Sequence, residues 1–394
     1  MNGAINRAVN ERILMSGNDA IAEGAIRAGC GAYFGYPITP QNELIAYMAK
    51  HMLDKGRVFI QAESEIAAIN MVYGASCAGA RAMTSSSSPG VSLKQEGLSY
   101  AAGADVPLVV ANVVRGGPGL GNIAPAQSDY FQSTRGGGHG DYRCIVLAPK
   151  SAQECADLTY LAFDLADKYR MPVIVQIDGM IGQMMEAVTL PPEKALKDLP
   201  PRDWTVGKMA GRAPAERTAK NGRREARRIT SIHLVPEELE SITRARFARY
   251  ETVKNSETRF EDIGCADADL ILAAYGTSAR VCLGARMLAE KEGIKLGIFR
   301  PVTLWPFPRG ALAKIAATGK PILTVEMSLG QLVEDVKLSV YEAVSANAVV
   351  ANAVTGAAAG KVSAVHLLGR SGGIIPTEEE VFNEAKKILG RSAA

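Results

Sequence analysis

A series of short runs that stay apolar almost from end to end sets the strongest limit on how this chain can fold. They read AYFGYP (32–37), RVFIQAE (57–63), RAMTSSSS (81–88), PLVVANVVR (107–115), CIVLAP (144–149) and PVIVQID (172–178). Continuous rather than alternating apolarity belongs to strands covered on both faces. Helical stretches separate them at 18–29, 42–53, 65–79 and 152–170, the last opened by Ser151 with Glu154 three residues on, a capping-box spacing. Strands alternating with helices of this length predict an α/β fold built on a doubly wound parallel sheet.

A second alternating block starts near Asp267, with strands expected in DLILAAYG, IKLGIFRP, PILTVEM and KVSAVHLLG. A chain of 394 residues is too long for one simple core, so a division into two domains is expected, the larger over 12–190 and a smaller α/β domain over 263–394. Residues 191–262 lack the rhythm and read as a linker or insert, with a basic 202–228 segment that includes GRAPAERTAKNGRREARR. Such a run invites a nucleic-acid reading. No aromatic residues interleave the charges and the net charge is only +3, so an arm packed on a partner subunit is the better reading.

The balance of 47% apolar and 22% charged residues is ordinary for a globular protein. No apolar run approaches the roughly 20 residues that span a bilayer, and the N-terminus lacks the apolar stretch of a signal peptide. A soluble, cytoplasmic protein is expected. The six cysteines are scattered singly, with no C-x-x-C pair and no histidine at zinc-ligand spacing. They read as buried free thiols, and the chain is expected to hold neither an iron–sulfur cluster nor a zinc of its own.

In open parallel sheets, ligands bind outside the carboxyl ends of the strands. The segments found there are YPITPQ, ESE, SSSSPG and RGGPGLGN, with TRGGGHGDYR just before the fifth strand. Small and polar residues let a ligand approach the backbone closely, so these segments line one candidate crevice. Each has a blander reading. GGPGLG lacks the Lys-Ser/Thr ending of a phosphate loop, SSSSPG could be a turn before a helix starting near Leu93, and His139 could be a loop histidine without chemistry. Glu63 and Glu65 sit where a helix begins, a place that favours acidic residues on macrodipole grounds alone.

Taken together and in order, YFGYPITP, QAESEIAAINMVYGAS, TSSSSPG, RGGPGLG and GGGHGDYR resemble the α subunit of the 2-oxoacid:ferredoxin oxidoreductases, closest to the 2-oxoisovalerate (branched-chain) type. The similarity is dense over 16–190, fades through 200–250, and resumes at AYGTSAR, FRPVTLWPFP and VEMSLGQL. It implies a thiamine-diphosphate enzyme of several chains, with a pyrimidine-side domain followed by a transketolase-C-terminal-like domain. The implied activity is CoA-dependent oxidative decarboxylation of a 2-oxoacid to an acyl-CoA and CO2, with ferredoxin reduced.

By matching positions, Glu65 is implied to meet the aminopyrimidine N1′, where a carboxylate favours the imino tautomer able to take the thiazolium C2 proton. Thiamine diphosphate then serves as electron sink in decarboxylation. Thr39 and Arg115 are implied to meet the substrate carboxylate, a guanidinium fork fitting two oxygens. Pro37, Ile38 and Ser87 are implied to line the cofactor. The family places thiamine diphosphate and Mg2+ on a β subunit through a Gly-Asp-Gly motif, to which IDGMIG (177–182) is the nearest approach here. The [4Fe-4S] clusters are likewise expected on partner chains, so the implied assembly is a hetero-oligomer with β, γ and possibly δ subunits. No Lys or Arg falls between Gly116 and Tyr130, which favours an apolar 2-oxoacid over 2-oxoglutarate. Two further alternatives are the β component of a lipoamide-linked 2-oxoacid dehydrogenase and a non-catalytic subunit of an electron-transfer complex. YPITP and RGGPGLG speak against the first.

Overall fold

A computed structural model of the chain describes residues 12–206, 228–354 and 363–391. The basic run 211–228 lies outside the described residues apart from Arg228. Two compact units emerge: one formed by the chain up to Val113 with Arg135–Ile177 and Ile181–Tyr250, the other by Val114–Thr134, Asp178–Met180 and the chain from Glu251 onward.

In the first unit, β1 (Arg12–Ser16) leads into α1 (Gly17–Arg27), β2 (Ala32–Gly35), α2 (Asn42–Asp54), β3 (Val58–Gln61), α3 (Glu65–Cys77), β4 (Ala82–Ser86) and α4 (Ser88–Gly103). Then come β5 (Leu108–Val114), β6 (Ile145–Leu147), α6 (Ala152–Tyr169), β7 (Pro172–Asp178) and β8 (Met185–Thr189); between them in the chain, α5 (Tyr130–Arg135) belongs to the second unit except for its last residue, and α7 (Gly179–Gln183) is divided between the two. Strands of the main sheet lie in the order β6-β7-β5-β4-β2-β3, and the registers of β2 with β3, β2 with β4, β4 with β5 and β6 with β7 are parallel. Every residue of β4, β5 and β7 is buried, which is why their sequences read as unbroken apolar or small runs. β1 and β8 form a separate antiparallel pair.

Helix α4 begins at Ser88, five residues before the expected start near Leu93, because Pro89 sits in its first turn where a missing N–H costs nothing. The Ser151 cap of α6 forms as its spacing predicted, accepting from the Glu154 N–H at 3.2 Å, while the Glu154 carboxylate accepts from the N–H of Lys150.

Residues just before the strands form a different chemistry from those after them. Arg57 precedes β3 and Arg81 precedes β4, and both guanidinium groups are buried. Arg57 donates to the carbonyls of Ile26 and Cys30 and pairs with Glu193 at 2.8 Å. Arg81 pairs with Asp164 at 2.9 Å and Asp167 at 2.8 Å and donates to the Ala28 carbonyl at 2.5 Å. Arg202 bonds Asp167 from its other side. This rim is locked by fixed charges.

The stretch 191–262, which has no strand–helix rhythm in sequence, contains α8 (Pro236–Ser256) and β9 (Phe260–Ile263). Helix α8 is held to the first unit by charge together with the fully buried ring of Tyr250. Arg246 donates to Asp105 at 3.1 Å and to the Gly103 carbonyl at 2.9 Å, and Arg249 donates to Asp105 at 2.5 Å.

The second unit contains the remaining elements: β10 (Leu270–Ala273), α9 (Gly276–Lys291), β11 (Leu296–Pro301), β12 (Thr303–Trp305), α10 (Arg309–Ala316), β13 (Ile322–Glu326), α11 (Leu332–Val354), β14 (Val365–Gly369) and α12 (Glu378–Ile388). Its five-stranded sheet has the order β14-β13-β10-β11-β9, parallel except for β9 against β11. Glu326 at the end of β13 is fully buried and accepts from the N–H groups of Gln331, Leu332 and Val333, capping the start of α11.

All six cysteines are buried and unbridged, as their spacing predicted. Burial pushes the Cys30, Cys144 and Cys265 thiols up to about 12, so they are protonated and inert at neutral pH. Among the described residues no helix is long and apolar enough to cross a membrane.

The charged rim is the part of the first unit most open to test. Arg81→Ala leaves Asp167 with a weakened set of partners in a buried setting and is expected to cost about 3 kcal/mol of stability. Chemical denaturation of wild type and variant measures it; a change under about 0.5 kcal/mol would show the rim to be ornamental.

Candidate active site

Opposite that rim, beyond the carboxyl ends of the same strands, lie the segments that follow β2, β3 and β4. The loop after β2 is fixed before any ligand arrives. Gln41, fully buried, donates to the Tyr36 carbonyl at 3.2 Å and accepts from the Ser85 hydroxyl at 2.5 Å. Ser85 in turn bonds the Tyr33 hydroxyl at 2.5 Å. Asn18, at the start of α1, donates to the Pro40 carbonyl and to Glu43, both at 2.9 Å. The Thr39–Pro40 peptide is cis. Thr39 ends half-buried, its hydroxyl accepting from the Asn42 amide at 3.2 Å, with Ile38 half-buried and Pro37 exposed beside it.

Glu65 is the first residue of α3. The Ser64 hydroxyl caps that helix by accepting from the Ala67 N–H at 3.2 Å, so the helix start is satisfied without the glutamate side chain. A carboxylate serving only the helix macrodipole would stay in water, yet Glu65 is 7% exposed. Its carboxylate lies against the first turn of α4: a Cβ on Gly90 would fall 2.6 Å from Glu65 Oε1 and 2.1 Å from Ser86 Oγ. Glycine at 90 therefore makes the space the carboxylate occupies. The hydroxyls of Ser86 and Ser87 are fully buried and have no hydrogen-bond partner among the described residues. Unmet polar groups beside a buried carboxylate are what a bound heterocycle would satisfy.

Against the first residue of α3 lies a residue that the sequence pattern gave no reason to choose. Lys94, one turn further along α4, is fully buried, and its ammonium donates to the Glu65 carbonyl at 3.4 Å. Burial pushes its pKa down to about 8, against the opposing pull of the Glu65 charge. Gln41, Asn18 and Gly90 were likewise unselected in sequence. A glutamine one residue past YPITP and a glycine after SSSSP were the available signals.

Arg115 follows β5 and belongs to the second unit. It is half-buried, and its guanidinium donates to the Leu120 carbonyl at 3.1 Å. The glycine-rich loop beyond it is closed by the Asn122 N–H on the Gly116 carbonyl at 2.9 Å. Gly121 there has φ +54, and a Cβ would lie 1.7 Å from the Gly116 oxygen, so only glycine fits. Thus Thr39, Pro37, Ile38, Glu65 and Ser87 belong to the first unit and Arg115 to the second. The IDG aspartate, Asp178, is buried and bonded by the Thr277 hydroxyl at 2.7 Å, a structural engagement. His139 lies exposed on its glycine loop.

The donor set fits the pyrimidine side of thiamine diphosphate: a buried carboxylate acceptor with two unbonded hydroxyls beside it. Residues 23–243 match the family model described as pyruvate flavodoxin/ferredoxin oxidoreductase, thiamine diphosphate-binding, and residues 268–379 match pyruvate:ferredoxin oxidoreductase core domain II. Over 379 residues the chain is 44% identical to the ketoisovalerate oxidoreductase subunit VorB of Methanothermobacter marburgensis, covering 96% of this chain and 98% of that one. It is 34% identical to the 2-oxoglutarate synthase subunit KorA of the same organism, covering 97% and 100%. The solved 2-oxoglutarate:ferredoxin oxidoreductase from Magnetococcus marinus superposes with TM-score 0.77 at 28% identity, over 96% of this chain and 65% of that one. A split-gene transketolase shares the fold at TM-score 0.55 and 13% identity. With a family match over more than half its length and a full-length relative at 44% identity, the chain belongs to the pyruvate flavodoxin/ferredoxin oxidoreductase family, the 2-oxoacid:ferredoxin oxidoreductases to which its motifs pointed.

Proposed function

We propose that this chain is the pyrimidine-side subunit of an oxidoreductase that decarboxylates a branched-chain or other apolar 2-oxoacid, passes the acyl group to coenzyme A and reduces ferredoxin. The single observation that carries the reading is the Glu65 carboxylate, buried at a helix start and seated where Gly90 has no side chain. Residues 12–190 act as the pyrimidine-side domain and 263–394 as the transketolase-C-terminal-like domain, with 191–262 between them.

When bound, thiamine diphosphate supplies the electron sink for decarboxylation. The chain's own side chains do the rest of the local work. Glu65 holds a carboxylate ready to accept a hydrogen bond from the N1′ side of the pyrimidine, in a setting where such a bond is worth more than in water. Ser87 offers its unbonded hydroxyl beside it, and Pro37 and Ile38 supply apolar contact. Thr39 offers a hydroxyl and Arg115 a guanidinium fork to the substrate carboxylate. The diphosphate, Mg2+ and the [4Fe-4S] clusters are assigned to partner chains in a cytoplasmic hetero-oligomer. Exposed Ile66 on α3 and Leu93 on α4 flank the buried glutamate and suit such a partner.

An apolar substrate is favoured because the loop after Arg115 exposes Leu120 and Ile123 and has no cation through Tyr130. The greater identity to a ketoisovalerate subunit than to a 2-oxoglutarate subunit points the same way.

Three measurements on the purified complex test the reading. Glu65→Gln, with subunits still assembled, is expected to lower ferredoxin reduction about 100-fold or more; wild-type turnover would return Glu65 to a helix-start carboxylate. Thr39→Val removes one charge-assisted hydrogen bond of about 1.5–3 kcal/mol, hence kcat/KM should fall roughly 10- to 100-fold while the fold persists. Across a panel of 2-oxoacids, 2-oxoisovalerate should give a higher kcat/KM than 2-oxoglutarate, and the reverse order would assign the 2-oxoglutarate activity instead.

A further inference from the structure

The loop that carries Arg115 lies largely in water. Residues 118–123 are exposed, Leu120 at 81% and Ile123 at 64%, so apolar burial does little to hold them in place. Hydrogen bonds do that instead, and three of them run through Asn122. Its backbone N–H donates to the Gly116 carbonyl at 2.9 Å, and its Oδ1 accepts from the Ala124 N–H at 3.0 Å. These two close the loop on itself, beside the Gly116 N–H donating to the Ala124 carbonyl at 2.9 Å. The third leaves the loop: Asn122 Nδ2 donates to the Gly372 carbonyl at 2.9 Å, in the turn after β14 and 250 residues further along the chain.

Both sides are shaped for this contact. A Cβ on Gly116 would fall 2.7 Å from Asn122 Oδ1, so the asparagine side chain occupies space that another residue there would take. Gly373 has φ +91, and a Cβ on it would lie 2.3 Å from the Ala124 Cβ. The loop matters to the site because the Leu120 carbonyl, inside the closed turn, accepts from the Arg115 guanidinium at 3.1 Å. Where the loop is held therefore decides where that guanidinium points.

We propose that Asn122 is a positioning residue: by pinning the loop to the Gly372–Gly373 turn, it aims the Arg115 guanidinium at the carboxylate of the 2-oxoacid. This rests on the role assigned to Arg115 above. A planar guanidinium meets two carboxylate oxygens only in a narrow range of orientations, and a displacement of about 1 Å is enough to spoil one of the two bonds. The substrate carboxylate is present before the chemical step as well as during it. A misaimed fork thus weakens binding of the 2-oxoacid more than it slows turnover.

The test follows ferredoxin reduction by the purified multi-subunit complex, varying whichever of 2-oxoisovalerate and 2-oxoglutarate it turns over faster. Asn122→Ala should raise the 2-oxoacid KM roughly tenfold, as for loss of one charge-assisted bond, with kcat within about twofold and the KM for coenzyme A unmoved. Asn122→Asp should match it, since at neutral pH a carboxylate still accepts from the Ala124 N–H but cannot donate to Gly372. Gly373→Ala, which pushes a methyl group against Ala124, should raise the same KM from the other side of the contact.

A double-variant cycle separates aim from general structure. In an Arg115→Ala background, adding Asn122→Ala should change the KM by less than about twofold. A multiplied loss there would mean that the asparagine acts on something other than the guanidinium, and it overturns the proposal. A wild-type KM in either Asn122→Ala or Asn122→Asp does the same. So does failure of both variants to assemble, which would make the asparagine a folding requirement. If Arg115→Ala itself leaves the KM unchanged, the role of Arg115 fails; a raised KM there with an unmoved one in Asn122→Ala defeats only the asparagine.

Discussion

Parallel pairing of β2 with both β3 and β4 decides everything local to the site. Because these strands run the same way, their carboxyl ends open on one side and their starts on the other. The chain then invests the two sides with opposite chemistry. Arg57 and Arg81 close the starting side with satisfied ion pairs. The finishing side has hydroxyls without partners and a carboxylate without a donor among the described residues. A sheet with alternating strand directions could not sort stability and reactivity onto separate rims in this way.

Rigidity on the finishing side comes from hydrogen bonds made by amides rather than from the prolines alone. Pro37 and Pro40 restrict their own backbone and that of their neighbours. Gln41 and Asn18 supply the anchoring, tying the loop to Ser85 on β4 and to the first turn of α1. A threonine hydroxyl presented from such a loop has little freedom to lose when a ligand binds, and that lowers the entropic cost of recognition.

What could be read from the sequence was what leaves a local signature. Doubly covered strands announce themselves as apolar runs, and PVIVQID matched β7 residue for residue. Glu65 was legible only through the motifs that resemble a known family, since its place at a helix start reads equally well as a macrodipole carboxylate. Helix α8 was not, since it is fixed by Arg246 and Arg249 on Asp105, more than a hundred residues away in the chain, and its fully buried apolar residues are only Tyr250 and Val253. Lys94 was illegible for a related reason: it lies between an exposed leucine and Gln95, and only the fold brings the start of α3 against it. The start of α4 was misplaced because a serine- and proline-rich stretch resembles a turn until the proline is seen to occupy the first helical positions.

The seat of the Glu65 carboxylate on Gly90 also bears on how relatives of this chain can be compared. In this arrangement an acidic side chain fills the volume where another residue would carry its own first carbon. The two positions are thus a single feature written in two places, twenty-five residues apart in sequence. A homologue that keeps the glutamate but carries alanine at the second position would look competent by its acid alone. It would nonetheless have the carboxyl turned aside, with the surrounding helices intact. Silent members of such a lineage are better recognised by the pair than by either residue.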